Sequence, residues 1–367
     1  MSRILLMYIH ERSGHHHAAL ALEKAFKAAD PGTRCLVVDE LRYTHPILER
    51  LIRTTYLEIV RKNPEVWEYL YDNAWVLKNT RALRHSIHKS HSKKFKALLD
   101  EFRPDAIVCT QAFPCGIVSD YKATYAYPVP LYGVLTDYLP HSYWVMDRVD
   151  RYFVPTEEAK KKLEENGIFE DRIAVTGIPI DPSFAEKDGA GRPSKKRPHI
   201  LIMGGSQGLG PLERIVAVLD GVEERFDMTV VTGQNARLYR RFTRRAARFR
   251  KKVRVLSYVD NVAELMRGAT LLVSKPGGLS IAQALAAKLP VIFMDPIPGQ
   301  EAKNASILLE HRAAVEAKSE EEAARFVSEL LKSPEKIRSM KRSMAHLARP
   351  DAALRIAKSV LAGGAAN

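Results

Sequence analysis

The chain has 367 residues, too many for one ordinary core, so two domains are expected. Apolar residues make up 46% and charged residues 27%, a globular balance, and no run of about eighteen apolar residues is present to span a bilayer as a helix. The formal charge of +14 favours an anionic partner: nucleic acid, an anionic membrane or an anionic substrate. The three cysteines, Cys35, Cys109 and Cys115, form neither a disulfide framework nor a metal spacing, which fits a reducing compartment.

Ile4–Ile9 is apolar and ends at once in His10-Glu11-Arg12 with no small-residue cleavage site, so it reads as a buried first strand rather than a signal peptide. A helix-like stretch follows over Ala18–Ala28. Short apolar runs at Cys35–Val38, Ala106–Cys109, Val129–Leu135, Arg151–Val154 and Ile173–Val175 predict further strands. Between them, 46–102 reads as a helical insertion. Its first part places Leu51, Ile52 and Tyr56 on one apolar face, and its second carries Trp67 and Trp75 before a basic stretch. Apolar and aromatic faces edged by cations describe an interfacial membrane helix; the competing reading is a face packed on its own domain. His85, His88 and His91 share a helical face there but lack a fourth zinc ligand, so a solvated or lipid-facing surface is the better reading.

The stretch 183–198, with Gly189, Gly191, Pro193 and a basic cluster, reads as a linker. The alternation then restarts with strands at His199–Met203, Met228–Val231, Val253–Leu256, Thr270–Val273 and Val291–Met294, and helices between them. The reading is therefore α/β: a domain over 1–182, a second over 199–349, and a closing helix and tail over 350–367. Each domain is expected to be a doubly wound, Rossmann-like parallel sheet, the two facing a cleft with ligands at the carboxyl ends of the strands.

Three turns in the second domain carry chemistry. Ser274-Lys275-Pro276-Gly277-Gly278-Leu279-Ser280 joins a strand to a helix start, where unpaired N–H groups and the helix dipole favour an anion and glycine lets it approach the backbone. The turn 203–210, containing Gly205, Ser206 and Gln207, has neither the dinucleotide spacing nor the Gly-Lys-Ser/Thr of a triphosphate loop. Pro298-Gly299-Gln300-Glu301, with Asn304 following, offers groups that can bond sugar hydroxyls or cap a helix.

Together, Gly-Gly-Ser-Gln-Gly at 204–208, Ser257-Tyr258-Val259, Lys275–Ser280 and Pro-Gly-Gln-Glu at 298–301 with Asn304 resemble the monogalactosyldiacylglycerol synthase and processive diacylglycerol glucosyltransferase family. The transferase that adds N-acetylglucosamine to the peptidoglycan lipid precursor is more distant kin. The resemblance continues in Ser13-Gly14-His15 with Ala18, in Thr136-Asp137, His141 and Trp144, and in Thr176-Gly177-Ile178-Pro179, so it spans nearly the whole chain. It implies the glycosyltransferase B fold and a UDP-sugar donor. The uracil would lie near Tyr258 and Val259, and the ribose by the helix after Gly278. The diphosphate would rest on Leu279, Ser280 and Ser206, and the sugar would meet Gln300, Glu301 and Asn304. Gln283 stands where the family commonly has a ribose-binding Glu, and Asp181 where many relatives carry Arg.

Inverting transfer needs a base for the acceptor hydroxyl and stabilisation of the departing diphosphate. The helix start at Gly278 answers the second need, and with no Asp-x-Asp triplet no metal is expected. His15 is the candidate base, because imidazole titrates near neutral pH; Asp137 is the second candidate, or the group that orients the histidine. The expected activity is membrane-associated hexosyl transfer, glucose or galactose, from a UDP-sugar to diacylglycerol or a similar lipid. Leu51, Ile52, Tyr56, Trp67, Trp75, His141 and Trp144 would face acceptor or membrane. Alternatives are a polyprenyl-linked acceptor and a non-catalytic sugar-nucleotide or membrane-binding module. The expected location is cytoplasmic, peripheral on the inner face of the cell membrane, against anionic lipid. The basic run from Arg240 to Lys252 has no accompanying nucleic-acid motif, so no nucleic-acid partner is expected.

Overall fold

The computed structural model describes residues 1–44, 46, 93–185, 197–294 and 300–364. Most of the insertion expected at 46–102 lies outside these residues, with Leu51, Ile52, Tyr56, Trp67, Trp75, His85, His88 and His91. So do most of the linker expected at 183–198 and the turn 295–299. The chain divides into two compact units, one holding Met1–Pro182 and Asp351–Asn367, the other Ser183–Ile297 and Glu301–Pro350.

The first unit runs β1 (Arg3–Tyr8), α1 (Gly14–Ala29), β2 (Arg34–Asp39), α2 (Glu40–Thr44), β3 (Ala106–Cys109), α3 (Ala112–Tyr125), β4 (Leu131–Val134), β5 (Arg151–Val154), α4 (Glu157–Glu165) and β6 (Ile173–Val175). All its strand pairings are parallel, in the order β2-β1-β3-β4-β5-β6. Strand side chains alternate between faces, and both faces of β1 are buried, which is why its run Ile4–Tyr8 is apolar. Ile4, Leu6 and Tyr8 pack in one cluster with Leu22 and Phe26 of α1, while Leu5 and Met7 pack in another with Cys115 and Val118 of α3.

The second unit runs β7 (His199–Met203), α5 (Leu212–Asp220), β8 (Asp227–Val231), α6 (Ala236–Arg245), β9 (Val253–Leu256), α7 (Val262–Arg267), β10 (Leu271–Ser274), α8 (Gly278–Ala286), β11 (Val291–Met294), α9 (Gln300–Glu310), β12 (Ala314–Ala317), α10 (Glu320–Lys332) and α11 (Pro334–Leu347). Its sheet is again parallel, in the order β12-β11-β10-β7-β8-β9. Two parallel sheets, each flanked by helices, are the doubly wound architecture expected.

Three local features differ from the expectation. Strand β12 was not anticipated: it is a four-residue edge strand whose alternation is broken by Glu316. Helix α1 starts at Gly14, four residues early, because the Ser13 hydroxyl caps it by accepting from the His16 N–H at 3.2 Å. The last helix, α12 (Ala352–Gly364), joins the first unit rather than standing as a tail: Ala353, Ile356, Ala357 and Val360 complete the cluster around β1 and α1.

Candidate active site

In the second unit the strand order reverses between β7 and β10, and doubly wound sheets bind ligands beyond the carboxyl ends of their strands at such a point. Both glycine turns fall there. One leaves β7 and the other leaves β10, whose last residue, Ser274, pairs with Met203.

The turn after β7 is closed by its own backbone. The Leu209 N–H donates to the Gly204 carbonyl at 2.8 Å, and the Gln234 N–H to the Ser206 carbonyl at 2.8 Å. Gly208 (φ +59°) and Gly233 (φ +58°) are left-handed, and a Cβ at either would overlap the carbonyl oxygens of Thr232 and Ser206 respectively. Those glycines are explained by chain packing alone.

Gly277 is not. Its φ of −71° suits any residue, and a Cβ there would meet nothing within 4 Å among the described residues. It is the N-cap of α8, which has no side-chain cap and no acidic residue in its first turn. The N–H groups of Gly278, Leu279 and Ser280 therefore lack intrahelical acceptors, with the positive end of the helix dipole behind them. Next to this opening, Lys275 Nζ lies 3.3 Å from Glu301 Oε2, with side chains 11% and 16% exposed. Lysine and glutamate, expected to serve phosphate and sugar separately, thus form one ion pair. Gln300 opens α9, and Asn304, one turn on, is buried. Gln283 is half-buried in α8, and Tyr258 and Val259 are half-buried just after β9, at the same carboxyl edge as Gly205, Ser206 and Gln207.

In the first unit the order reverses between β1 and β3, and His15 stands at that point. Its Nδ1 lies 2.9 Å from the Thr110 carbonyl at the end of β3 and 2.8 Å from Thr136 Oγ1 after β4. A carbonyl only accepts, so Nδ1 carries the proton and donates, and the basic lone pair of the neutral ring is on Nε2. The Thr110 hydroxyl in turn donates to the His15 carbonyl at 2.9 Å. Burial lowers the His15 pKa; the charge of Asp137 and the bond to Thr110 oppose that shift, and His10 adds to it. The ring is held neutral around physiological pH, with the buried Asp137 acting on it by charge.

The turn before α1 is not made by Gly14, which is already helical; its left-handed residues are His10 (φ 68°) and Arg12 (φ 62°). His16 accepts the Arg12 N–H on Nδ1 at 2.9 Å and stacks on Tyr8 with centroids 4.4 Å apart, so it fastens this turn. Trp144, expected to face acceptor or membrane, is 2% exposed and packs in the β3–β5 core near Gly133 and Tyr152, because the apolar ring fills the space that Gly133 leaves over the sheet. His141 sits beside it, ring centroids 6.2 Å apart. Asp181 is tied to Lys24 of α1 at 2.6 Å, which accounts for a carboxylate there. Thr110 and Thr136 were not assigned roles from sequence; their signal was position, since each stands just past the carboxyl end of a predicted strand.

Residues 15–180 match the family described as monogalactosyldiacylglycerol (MGDG) synthase, and residues 199–357 match the glycosyltransferase family 28 C-terminal domain. The chain is 29% identical over 367 residues to the processive diacylglycerol beta-glucosyltransferase of Bacillus cytotoxicus, covering 98% of this chain and 93% of that one. Against the enzyme of the same name from Bacillus subtilis strain 168 it is 29% identical over 354 residues, covering 94% and 91%. Among solved structures, MurG of Acinetobacter baumannii superposes with a TM-score of 0.63 at 14% identity, covering 99% of this chain and all of that one. A UDP-N-acetylglucosamine 2-epimerase superposes at 0.64 with 15% identity, covering 100% and 97%. Those two establish the fold, glycosyltransferase B, which transferases and epimerases share. With both units matched and nearly the whole chain aligned to these relatives, the protein belongs to the monogalactosyldiacylglycerol synthase and processive diacylglycerol glucosyltransferase family.

Proposed function

We infer that the protein transfers a hexose from a UDP-sugar to diacylglycerol or a closely similar lipid, with inversion at the anomeric carbon. The observation that carries this reading is the alignment of 98% of the chain with an enzyme named processive diacylglycerol beta-glucosyltransferase. Glucose is the favoured hexose on that ground. A β-glucoside made from an α-linked nucleotide sugar requires inversion, hence a single displacement with a base on the acceptor hydroxyl and an acid-like stabiliser on the leaving group.

The two sites fit those needs. His15 Nε2 takes the acceptor proton as the hydroxyl oxygen attacks; Thr110 and Thr136 hold the ring and keep the proton on Nδ1. The imidazolium formed is stabilised by Asp137. The departing UDP bears its new charge at the N–H groups of Gly278, Leu279 and Ser280, with Lys275 beside them. Glu301, Gln300 and Asn304 serve the sugar hydroxyls, Tyr258 and Val259 the base, Gln283 the ribose, and Gly205, Ser206 and Gln207 the phosphate surroundings. No helix among the described residues is long and apolar enough to cross a membrane. The enzyme works at the surface of the membrane that holds its acceptor, the inner face of the cell membrane.

The test is turnover with UDP-glucose or UDP-galactose and vesicles containing either diacylglycerol or a polyprenyl phosphate-linked acceptor. UDP release that depends on diacylglycerol supports the reading. Release that depends only on the polyprenyl lipid moves the acceptor, and nucleotide binding without turnover removes catalysis.

A further inference from the structure

Helix α6 and the segment after it bear a charge the donor site does not use. Residues 236–254 hold ten Lys and Arg and no Asp or Glu, in a chain whose net charge is +14. All ten except Lys251 are exposed. Lys251 is structural: its ammonium donates to the carbonyls of Val222 and Glu224 at 2.6 and 2.7 Å and lies over the Phe226 ring. Among the described residues, the one ion pair these cations make is Arg241 with Glu213, at 2.7 Å.

The surface is rigid, because Leu238 and Phe242, four apart, are buried against the sheet and turn the arginines outward. A face that serves solubility mixes both signs; this one is of a single sign over nineteen residues, at the cost of self-repulsion.

The geometry points to this face as the docking surface of the donor-binding unit for an anionic lipid bilayer. The proposal rests on the reading of the protein as a lipid glycosyltransferase, whose acceptor lies in such a bilayer. No large apolar side chain in 236–254 is among the exposed ones. The face therefore has no wedge to insert between lipids and no exposed aromatic platform for stacking bases. Contact is electrostatic and peripheral, with cations standing near lipid phosphates and screened within a Debye length. Single-stranded nucleic acid binders combine cations with aromatic platforms, which favours the bilayer as occupant.

The test is co-sedimentation with vesicles of phosphatidylglycerol and phosphatidylcholine, without UDP-sugar. The variants are R240Q/R244Q/R248Q and, as a charge-matched control on exposed positions of α11, K336Q/K341Q/R342Q. Each cation near an anionic surface contributes roughly fivefold, so the first variant is expected to lose about a hundredfold in vesicle affinity at low salt and the control much less. Transfer to short-chain diacylglycerol dispersed in neutral detergent should be unchanged in the first variant. Equal vesicle binding by wild type and the first variant overturns the proposal, as does an equal loss in the control. A loss confined to binding of a single-stranded RNA oligomer overturns it too. If wild type transfers nothing even to dispersed diacylglycerol, it is the enzymatic reading that fails, and the vesicle result still decides the surface.

Discussion

Replacing Gly277 with alanine separates what the fold needs at the donor turn from what a ligand needs. The backbone there is in an ordinary extended conformation and a Cβ meets nothing among the described residues, so the change is expected to add no strain. Alanine is a poorer N-cap than glycine by roughly 0.5–1 kcal/mol. It also restricts the unfolded chain, which returns about 0.4–1 kcal/mol. The net change in stability is expected within about 0.5 kcal/mol. Donor binding should suffer far more. A diphosphate seated on α8 takes hydrogen bonds from N–H groups at about 2.9 Å, and a methyl at the N-cap stands in its approach. Losing one charge-assisted bond removes about 1.5–3 kcal/mol, a ten- to hundredfold weaker Kd for UDP. Thermal melting and titration calorimetry with UDP read the two effects separately. A Tm within a degree or two of wild type together with UDP affinity within twofold of wild type would refute the placement of the diphosphate at this turn.

His15→Ala should lower kcat by about a hundred- to ten-thousandfold while UDP affinity stays within a few-fold, read by turnover and calorimetry. Because burial lowers the His15 pKa, the ring stays unprotonated as pH falls, and the acid limb of kcat/KM should lie below 6.5; a limb above 6.5 argues against His15 as base. Thr136→Val removes one partner of Nδ1 and should reduce kcat several-fold with UDP binding unchanged, seen in a KM-against-kcat comparison. Lys275→Met takes the ammonium away from the largely buried Glu301 carboxylate and is expected to destabilise by about 2–3 kcal/mol; adding Glu301→Gln should restore Tm but not UDP affinity, which denaturation and calorimetry distinguish.

The doubly wound sheets were legible because their central strands β1, β3, β7 and β10 are short buried apolar runs that stop at polar residues or Gly. The turn at 275–278 was legible for the same reason: Lys-Pro-Gly-Gly interrupts a buried strand and a helix pattern follows. What escaped was long-range. Thr110 and Thr136 reach His15 from 95 and 121 residues away, and no local pattern announces that two threonines will converge on one nitrogen. Lys275 and Glu301 each looked like an independent ligand group because their pairing depends on α9 returning beside β10. Trp144 was expected at the acceptor or membrane because it falls in the segment that carries the family resemblance, but a glycine in the neighbouring strand made room for it inside. His10 and Arg12 take left-handed conformations that sequence assigns by default to Gly14, and the fastening by His16 depends on a stack with Tyr8. The closing helix α12 was read as a helix, yet its docking against α1 and β1 lay in tertiary packing.

The most direct measurement of the central claim is the anomeric configuration of the lipid product formed from UDP-glucose and diacylglycerol, read by the H1–H2 coupling in proton NMR, for wild type and His15→Ala. The expected result is a β-glucosyl diacylglycerol from wild type and none from the variant, although the variant still binds UDP. An α-linked product, or undiminished β-product from His15→Ala, would contradict single displacement with His15 as the base.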